Sequence, residues 1–280
     1  LKPAPSSALI DAAGVAHAVA QNTRNARIVS LVPSITETLF ALGLGARVVG
    51  RTGFCIHPRA AVASIPKVGG TKDVNLKKLC ALAPTHAIVN IDENEKPTVD
   101  AIRDFVPHIV VTHPNAPEDN LALFRLLGGV FDAESAAAEL CAQMQAELDA
   151  CAARQRGYER WPPERVLYLI WKDPWMTVAA DTYIARTLAQ IGWQVPHPPG
   201  GWSGAARYPA LALEDWVPRV DRVLLSSEPY AFNAADVQAL RERFAGTPVD
   251  LIDGEMTSWY GVRAISGLRY LRDVRSVRAG

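Results

Sequence analysis

The chain has 280 residues, of which 49% are hydrophobic and 21% charged, enough apolar content to bury substantial cores. Its 29 basic and 29 acidic residues balance, so no net field argues for nucleic acid or an anionic membrane as partner. No apolar run reaches the roughly 20 residues of a membrane-spanning helix, and the start lacks a charged segment followed by an apolar one, so a signal peptide is expected either to have been removed or never to have been present.

Residues 1–8, LKPAPSSA, read as a disordered leader. Ile28, Val29, Leu31 and Val32 then form an apolar run suited to a strand covered on both faces, which Pro33 is expected to end. Ser34 stands three residues before Glu37, the spacing of a capping box. The helix it opens would bury Leu39, Phe40, Leu42 and Leu44, and Gly43 and Gly45 would supply a left-handed stop. Asn75–Asn90 reads as helix, break at Pro84, buried strand. From Ala133 to about Tyr158 runs the longest helical pattern, with Leu140, Met144, Leu148 and Cys151 at spacings of four and three. At about 1.5 Å per residue it would span on the order of 40 Å and act as a strut. An ordinary core helix of one domain fits the same periodicity.

The second half repeats the plan. Arg165–Trp171 is a strand after a basic residue, Asp181 can cap a helix carrying Ile184, Leu188 and Ile191, and Leu213–Ser226 again reads as helix, proline, strand. The pattern predicts an α/β fold of two Rossmann-like lobes with central, mostly parallel sheets joined by one long rigid helix, with a ligand cleft between the lobes. The lobes would be residues 1–130 and 161–280, with the connecting helix at 131–160. A single large doubly wound sheet is the alternative. Strand-to-helix turns of such sheets lie along the carboxyl edge, where small molecules bind.

Enzyme signatures fail in context. Cys55, Cys80, Cys141 and Cys151 show no C-x-x-C spacing, and Cys80 is expected to be a small core residue on the apolar side of its helix. Cys55 beside His57 leaves a Cys/His-dependent hydrolase as an alternative. Gly201–Ala205, GWSGA, follows VPHPPG rather than a buried strand, so it does not fit a nucleophile elbow. Gly69-Gly70-Thr71-Lys72 lacks the first glycine of a phosphate loop, and the six histidines form no metal-binding spacing. No catalytic residue, metal centre or cofactor is expected.

Aromatic and polar residues instead follow the strands. Phe54 follows Val48-Val49, and Asn90, Asp92, Glu93 and Asn94 follow Ala87–Val89. Trp171 and Trp175 follow Val166–Ile170; Glu228, Tyr230 and Phe232 follow Val223–Leu225; Trp259 and Tyr260 follow Val249–Ile252. Gathered at one edge, these rings and amides would suit a large, partly polar organic ligand.

RIVSLVPSITETLFALGLGARVVG, FCIHP and KVGGTKDVNLKKLCALAPTHAIVN resemble the first lobe of the class III, helical-backbone periplasmic substrate-binding proteins of ABC importers. WKDPWMTVAADTYIARTLAQIGW, RYPALALEDW, LLSSEPYAF and DGEMTSWYGVR resemble the second lobe. The motifs are most similar to those of the cobalamin-binding receptors, with siderophore and haem receptors as relatives. The resemblance implies a receptor without catalysis that captures a metal chelate, cobalamin or another corrinoid, and delivers it to an ABC permease. It implies a periplasmic monomer, peripheral to the membrane only through the permease. A siderophore or haem receptor, and a cytoplasmic corrinoid-binding protein, are the alternatives.

By motif position, Phe54, Thr71, Asn90, Trp171, Trp175, Tyr208, Trp259 and Tyr260 fall at or beside the ligand, with Lys72, Glu93, Asn94, Glu228 and Tyr230 as further contacts. Thr71 and Asn90 stand where tryptophans are expected in cobalamin receptors, and Tyr208 replaces another. Receptors of this kind dock through one acidic residue on each lobe. Glu214 fits one position, and Lys77 reverses the charge at the other.

Overall fold

Short strands with buried flanks form two mostly parallel sheets, one at the centre of each of two units. The computed structural model describes residues 9–18, 25–157, 160–197 and 206–279; the expected leader and the GWSGA segment lie outside them. One unit runs through Pro114 and includes Asp119–Gln143; the other takes Asn115–Glu118 and everything from Met144 onward.

The first unit opens with a hairpin of β1 (Leu9–Ile10) and β2 (Ala16–His17). Its sheet holds β3 (Ile28–Ser30), β4 (Val48–Arg51), β5 (His86–Asn90) and β6 (His108–Thr112), ordered β4-β3-β5-β6 and parallel throughout. Every residue of β3 and β5 is buried, as expected of apolar runs lying between helices. Helices α1 (Pro33–Ala41), α2 (Arg59–Val62), α3 (Leu76–Ala81), α4 (Lys96–Ile102) and α5 (Asp119–Val130) complete the unit. Val29, Leu31, Leu79, Val89 and Ile102 belong to one apolar cluster.

Four local expectations are corrected here. The strand stops at Ser30, and Pro33 opens α1 instead of merely closing the strand, because a residue with no N–H and a fixed φ suits the first helical turn. The N-cap is Val32 without a side-chain bond, so Ser34 and Glu37 form no capping box, and Ser34 is buried inside the helix. Gly43 does take the left-handed stop at φ 75°, but Gly45 does not, and instead packs under the Phe40 ring. Cys80 is exposed: α3 is only six residues long and turns Leu79 inward, leaving Cys80 one step round the helix toward solvent.

The hairpin closes the outer edge of β6. Asp11 Oδ2 accepts from the Val111 amide at 3.0 Å, Asp11 Oδ1 accepts from the Ala13 and Val15 amides, and the Ala12 amide donates to the Val111 carbonyl. The amide and carbonyl of Val111 on that edge are thereby occupied and closed to pairing with another chain.

Helix α6 (Glu134–Arg156) turns Leu140, Met144, Leu148 and Cys151 inward, and the division between the units falls within it, after Gln143. Its expected end near Tyr158 lies outside the described residues. The chain also visits the second unit at Asn115–Glu118, held there by Arg207 Nη2 donating to Asn115 Oδ1 and Gln190 Nε2 donating to Glu118 Oε1, each at 2.8 Å.

The second unit contains β7 (Glu164–Trp171), β8 (Met176–Thr177), α7 (Tyr183–Ala189), β9 (Trp193–Gln194), α8 (Leu213–Trp216), β10 (Arg222–Ser226), α9 (Ala234–Arg243), β11 (Val249–Ile252), α10 (Gly254–Ser258) and α11 (Arg263–Ala279). β7 pairs parallel with β10, β10 with β11, and β9 lies parallel to the start of β7; only β8 is antiparallel. Reading β7, β9, β10, β11 for β3, β4, β5, β6 gives the same spatial order, so the repeat is architectural. The cap of α7 is corrected to Thr182, whose hydroxyl accepts from the Ala185 amide, because Asp181 lies one residue outside the helix entry.

Candidate functional site

In the first unit the parallel strands bring the turns after β3, β4, β5 and β6 to one carboxyl edge. Phe54, in the turn after β4, is 63% exposed, and its ring lies over Gly70. That approach depends on the glycine pair. Gly69 has φ 115°, and the Gly70 amide donates to the Asp73 carbonyl, so the chain turns tightly there, and a Cβ on Gly70 would stand 3.4 Å from the Phe54 ring. The Gly53 amide donates to the Gly69 carbonyl at 2.7 Å and ties the two turns together.

Asn94 is buried, and its polar atoms are committed internally. Nδ2 donates to the carbonyls of Thr71 (2.8 Å) and Leu31 (3.3 Å), while Oδ1 accepts from the Asn90 amide. Asn90 is buried as well, with Oδ1 accepting from the Asp92 amide. The two asparagines therefore shape the edge, while Lys72 and the apolar Ile56 and Ile91 stand exposed and Thr71 and Glu93 are half-buried.

Cys55 is fully buried. Its thiol lies 3.1 Å from Thr52 Oγ1 and donates to the Ser30 carbonyl, and burial pushes its pKa up. An activated nucleophile needs the opposite shift.

In the second unit the turns after β7, β10 and β11 share an edge. Trp171 meets Tyr230 edge-on at 5.7 Å, Tyr230 tilts against Phe232 at 4.6 Å, and Phe232 stacks on Trp175 at 5.9 Å. Phe232 is the buried anchor of this row and Trp171, 41% exposed, its open end. Lys172 Nζ reaches over Trp175 and pairs with Asp236. Tyr208 is exposed, while Tyr260 is buried edge-on against Tyr183.

Glu228 and Trp259, 31 residues apart in sequence, meet here. Trp259 Nε1 donates to Glu228 Oε1 at 2.7 Å, and Ser258 Oγ donates to the same oxygen at 2.8 Å. Burial nevertheless holds the carboxyl above the usual carboxylate range, with Glu255 and Asp253 adding to the rise and the two donors opposing it. Arg263 lies 5.0 Å over the Trp259 ring and pairs with Glu255. The sequence does not point to Ser258 or Arg263; a signal for Ser258 is the Asp253 N-cap, which starts α10 and so delivers Ser258 and Trp259 one turn later to Glu228.

Glu214 is exposed in the first turn of α8 and pairs with Arg243; Lys77 is exposed on α3. Among the described residues, no group of three His, Cys, Asp or Glu side chains could hold a metal ion, and no helix is long and apolar enough to cross a membrane.

An uncharacterized ABC transporter substrate-binding lipoprotein of Bacillus subtilis, YvrC, is 24% identical over 88% of this chain and 79% of its own length. A vitamin B12-binding protein of Vibrio parahaemolyticus is 24% identical over 72% of this chain and 70% of its own. In fold the chain is similar to the periplasmic haem-binding protein RhuT of Roseiflexus sp. RS-1, with a TM-score of 0.75, 22% identity, and 91% and 100% of the two chains covered. The family model described as periplasmic binding protein matches residues 28–220, from β3 through α8 and so across strands of both sheets. Covering more than half of its residues, this match shows that the chain belongs to the periplasmic binding protein family.

Proposed function

We propose that the protein is an extracytoplasmic receptor that captures a metal chelate, a corrinoid such as cobalamin, and hands it to the permease of an ABC importer. The observation that carries this reading is the pair of carboxyl edges. One presents Phe54 with Ile56 and Ile91, the other Trp171 with its aromatic row and the Glu228 carboxyl. Exposed rings that are held rigidly by neighbours give apolar contact area at low entropic cost, and a few polar groups set orientation. The lipoprotein and vitamin B12-binding relatives support the same reading.

Binding involves no covalent step. The buried, protonated Cys55 thiol disfavours the hydrolase alternative. A haem or ferric siderophore is the second reading, favoured by Thr71 and Asn90 at positions where cobalamin receptors are expected to carry tryptophan. On the permease side Glu214 is the docking acid, and because Lys77 reverses the charge at the other position, the permease surface facing it is acidic or neutral. A thermal-shift panel of cyanocobalamin, haemin and a ferric hydroxamate tests the assignment: the corrinoid raises the melting temperature most, and silence to all three overturns it.

A further inference from the structure

The Glu228 carboxylate is unevenly used. Oε1 accepts from both Trp259 and Ser258, whereas Oε2 has no hydrogen-bond partner among the described residues and is not sealed from solvent. The nearby charges are already spent. Asp253 caps α10 through the Met256 amide, and Glu255 pairs with Arg263 at 3.1 Å. No lysine, arginine or histidine among the described residues forms an ion pair with Glu228, and its charged neighbours Glu255 and Asp253 have its own sign. Its position is also fixed from behind, since a Cβ at Gly254 would stand 2.5 Å from Glu228 Cγ.

We propose that Glu228 selects the ligand by its peripheral groups: Oε2 accepts from an N–H donor, a carboxamide on the chelate, and turns away a carboxylate at the same place. This deepens the chelate-receptor reading and rests on it. An N–H donor meets a charge-assisted acceptor whose partner oxygen is already held in place, so little reorganisation is needed. A pendant carboxylate meets an uncompensated like charge in a partly desolvated setting, which is specificity achieved by repulsion. Amide-decorated macrocycles are thereby favoured over acid-decorated ones.

The probes are cobinamide, whose ring carries carboxamides, and cobyrinic acid, the same ring bearing carboxylates, titrated calorimetrically at pH 8 into the wild-type protein and Glu228→Gln. The wild type should prefer cobinamide by about tenfold or more, and Glu228→Gln should shrink that preference to roughly threefold, chiefly by tightening cobyrinic acid. Glu228→Ala reads the same ratio should the glutamine variant not fold. A preference unchanged by either substitution, with both probes still binding, overturns the role of Glu228 alone. If the folded wild type binds neither probe, the corrinoid assignment falls and this proposal with it.

Discussion

Gly254 and Glu228 are in such close contact that a side chain at 254 has no room: an added Cβ would lie 2.5 Å from Glu228 Cγ, 2.6 Å from Ser226 Oγ and 2.8 Å from the Glu228 amide nitrogen. The start of α10 is thus packed directly against the segment that carries the carboxylate. Gly254→Ala should cost about 1–3 kcal/mol, the range for overpacking a tight site, read as a lower denaturation midpoint with an unchanged slope. A neutral effect would mean that the Glu228 segment is loosely held.

Trp259→Phe removes one of the two donors to Glu228 Oε1. The folded carboxyl titrates above its ordinary value, so its favourable contribution is complete below the unfolded pKa near 4.5 and is lost as pH rises through the folded value. Losing the indole raises the folded pKa further. The substitution should therefore cost little at pH 4 and about 2 kcal/mol at pH 8, measured by guanidinium unfolding at both values. Equal costs at the two pH values would contradict the pairing.

His86 is held neutral. Burial, then the facing His108 ring stacked at 4.7 Å, then His17, depress its pKa from 6.5 to about 4. Between those values the unfolded chain binds the proton and the folded chain does not, so stability is full above about pH 6.5 and falls toward pH 4. The loss should amount to about 2 kcal/mol after allowing for partial solvent screening. His86→Gln should flatten the decline across that window; an unchanged decline would place its cause elsewhere.

The four cysteines are free and differ in reach. Cys80 is exposed, Cys55 is buried with a raised pKa, and Cys151 is buried and pushed up to about 11. With an aromatic disulfide reagent at pH 8, Cys80 should react at once and Cys55 and Cys151 only on unfolding. Rapid native labelling of Cys55, identified by peptide mass, would revive the hydrolase alternative.

What the sequence made legible were patterns that one physical cause dominates. The buried strands at Ile28, His86, Val166 and Val223 are continuous apolar runs, and α6 is a long stretch unbroken by proline or glycine, so both could be read directly. At Asp181 the cap passes to the adjacent Thr182, and at Ser34 it is lost because Pro33 starts the helix one residue before it, leaving Val32 at the N-cap and Ser34 inside the first turn. The exposure of Cys80 is not legible because a six-residue helix is too short to define a face. Asn90 and Asn94 were recognised as important, but their commitment to backbone partners such as Leu31 and Thr71 joins residues up to 63 positions apart, which no local spacing encodes. The Glu228–Trp259 bond is hidden for the same reason.

Calorimetric titration of cyanocobalamin into the purified protein, repeated with Phe54→Ala and Trp171→Ala, tests the corrinoid-receptor claim most directly. Saturable binding at micromolar concentration or tighter is expected, with each substitution weakening it about tenfold or more, in keeping with the loss of an aromatic anchor. No heat at tens of micromolar from the folded wild type, or binding indifferent to both substitutions, would contradict it.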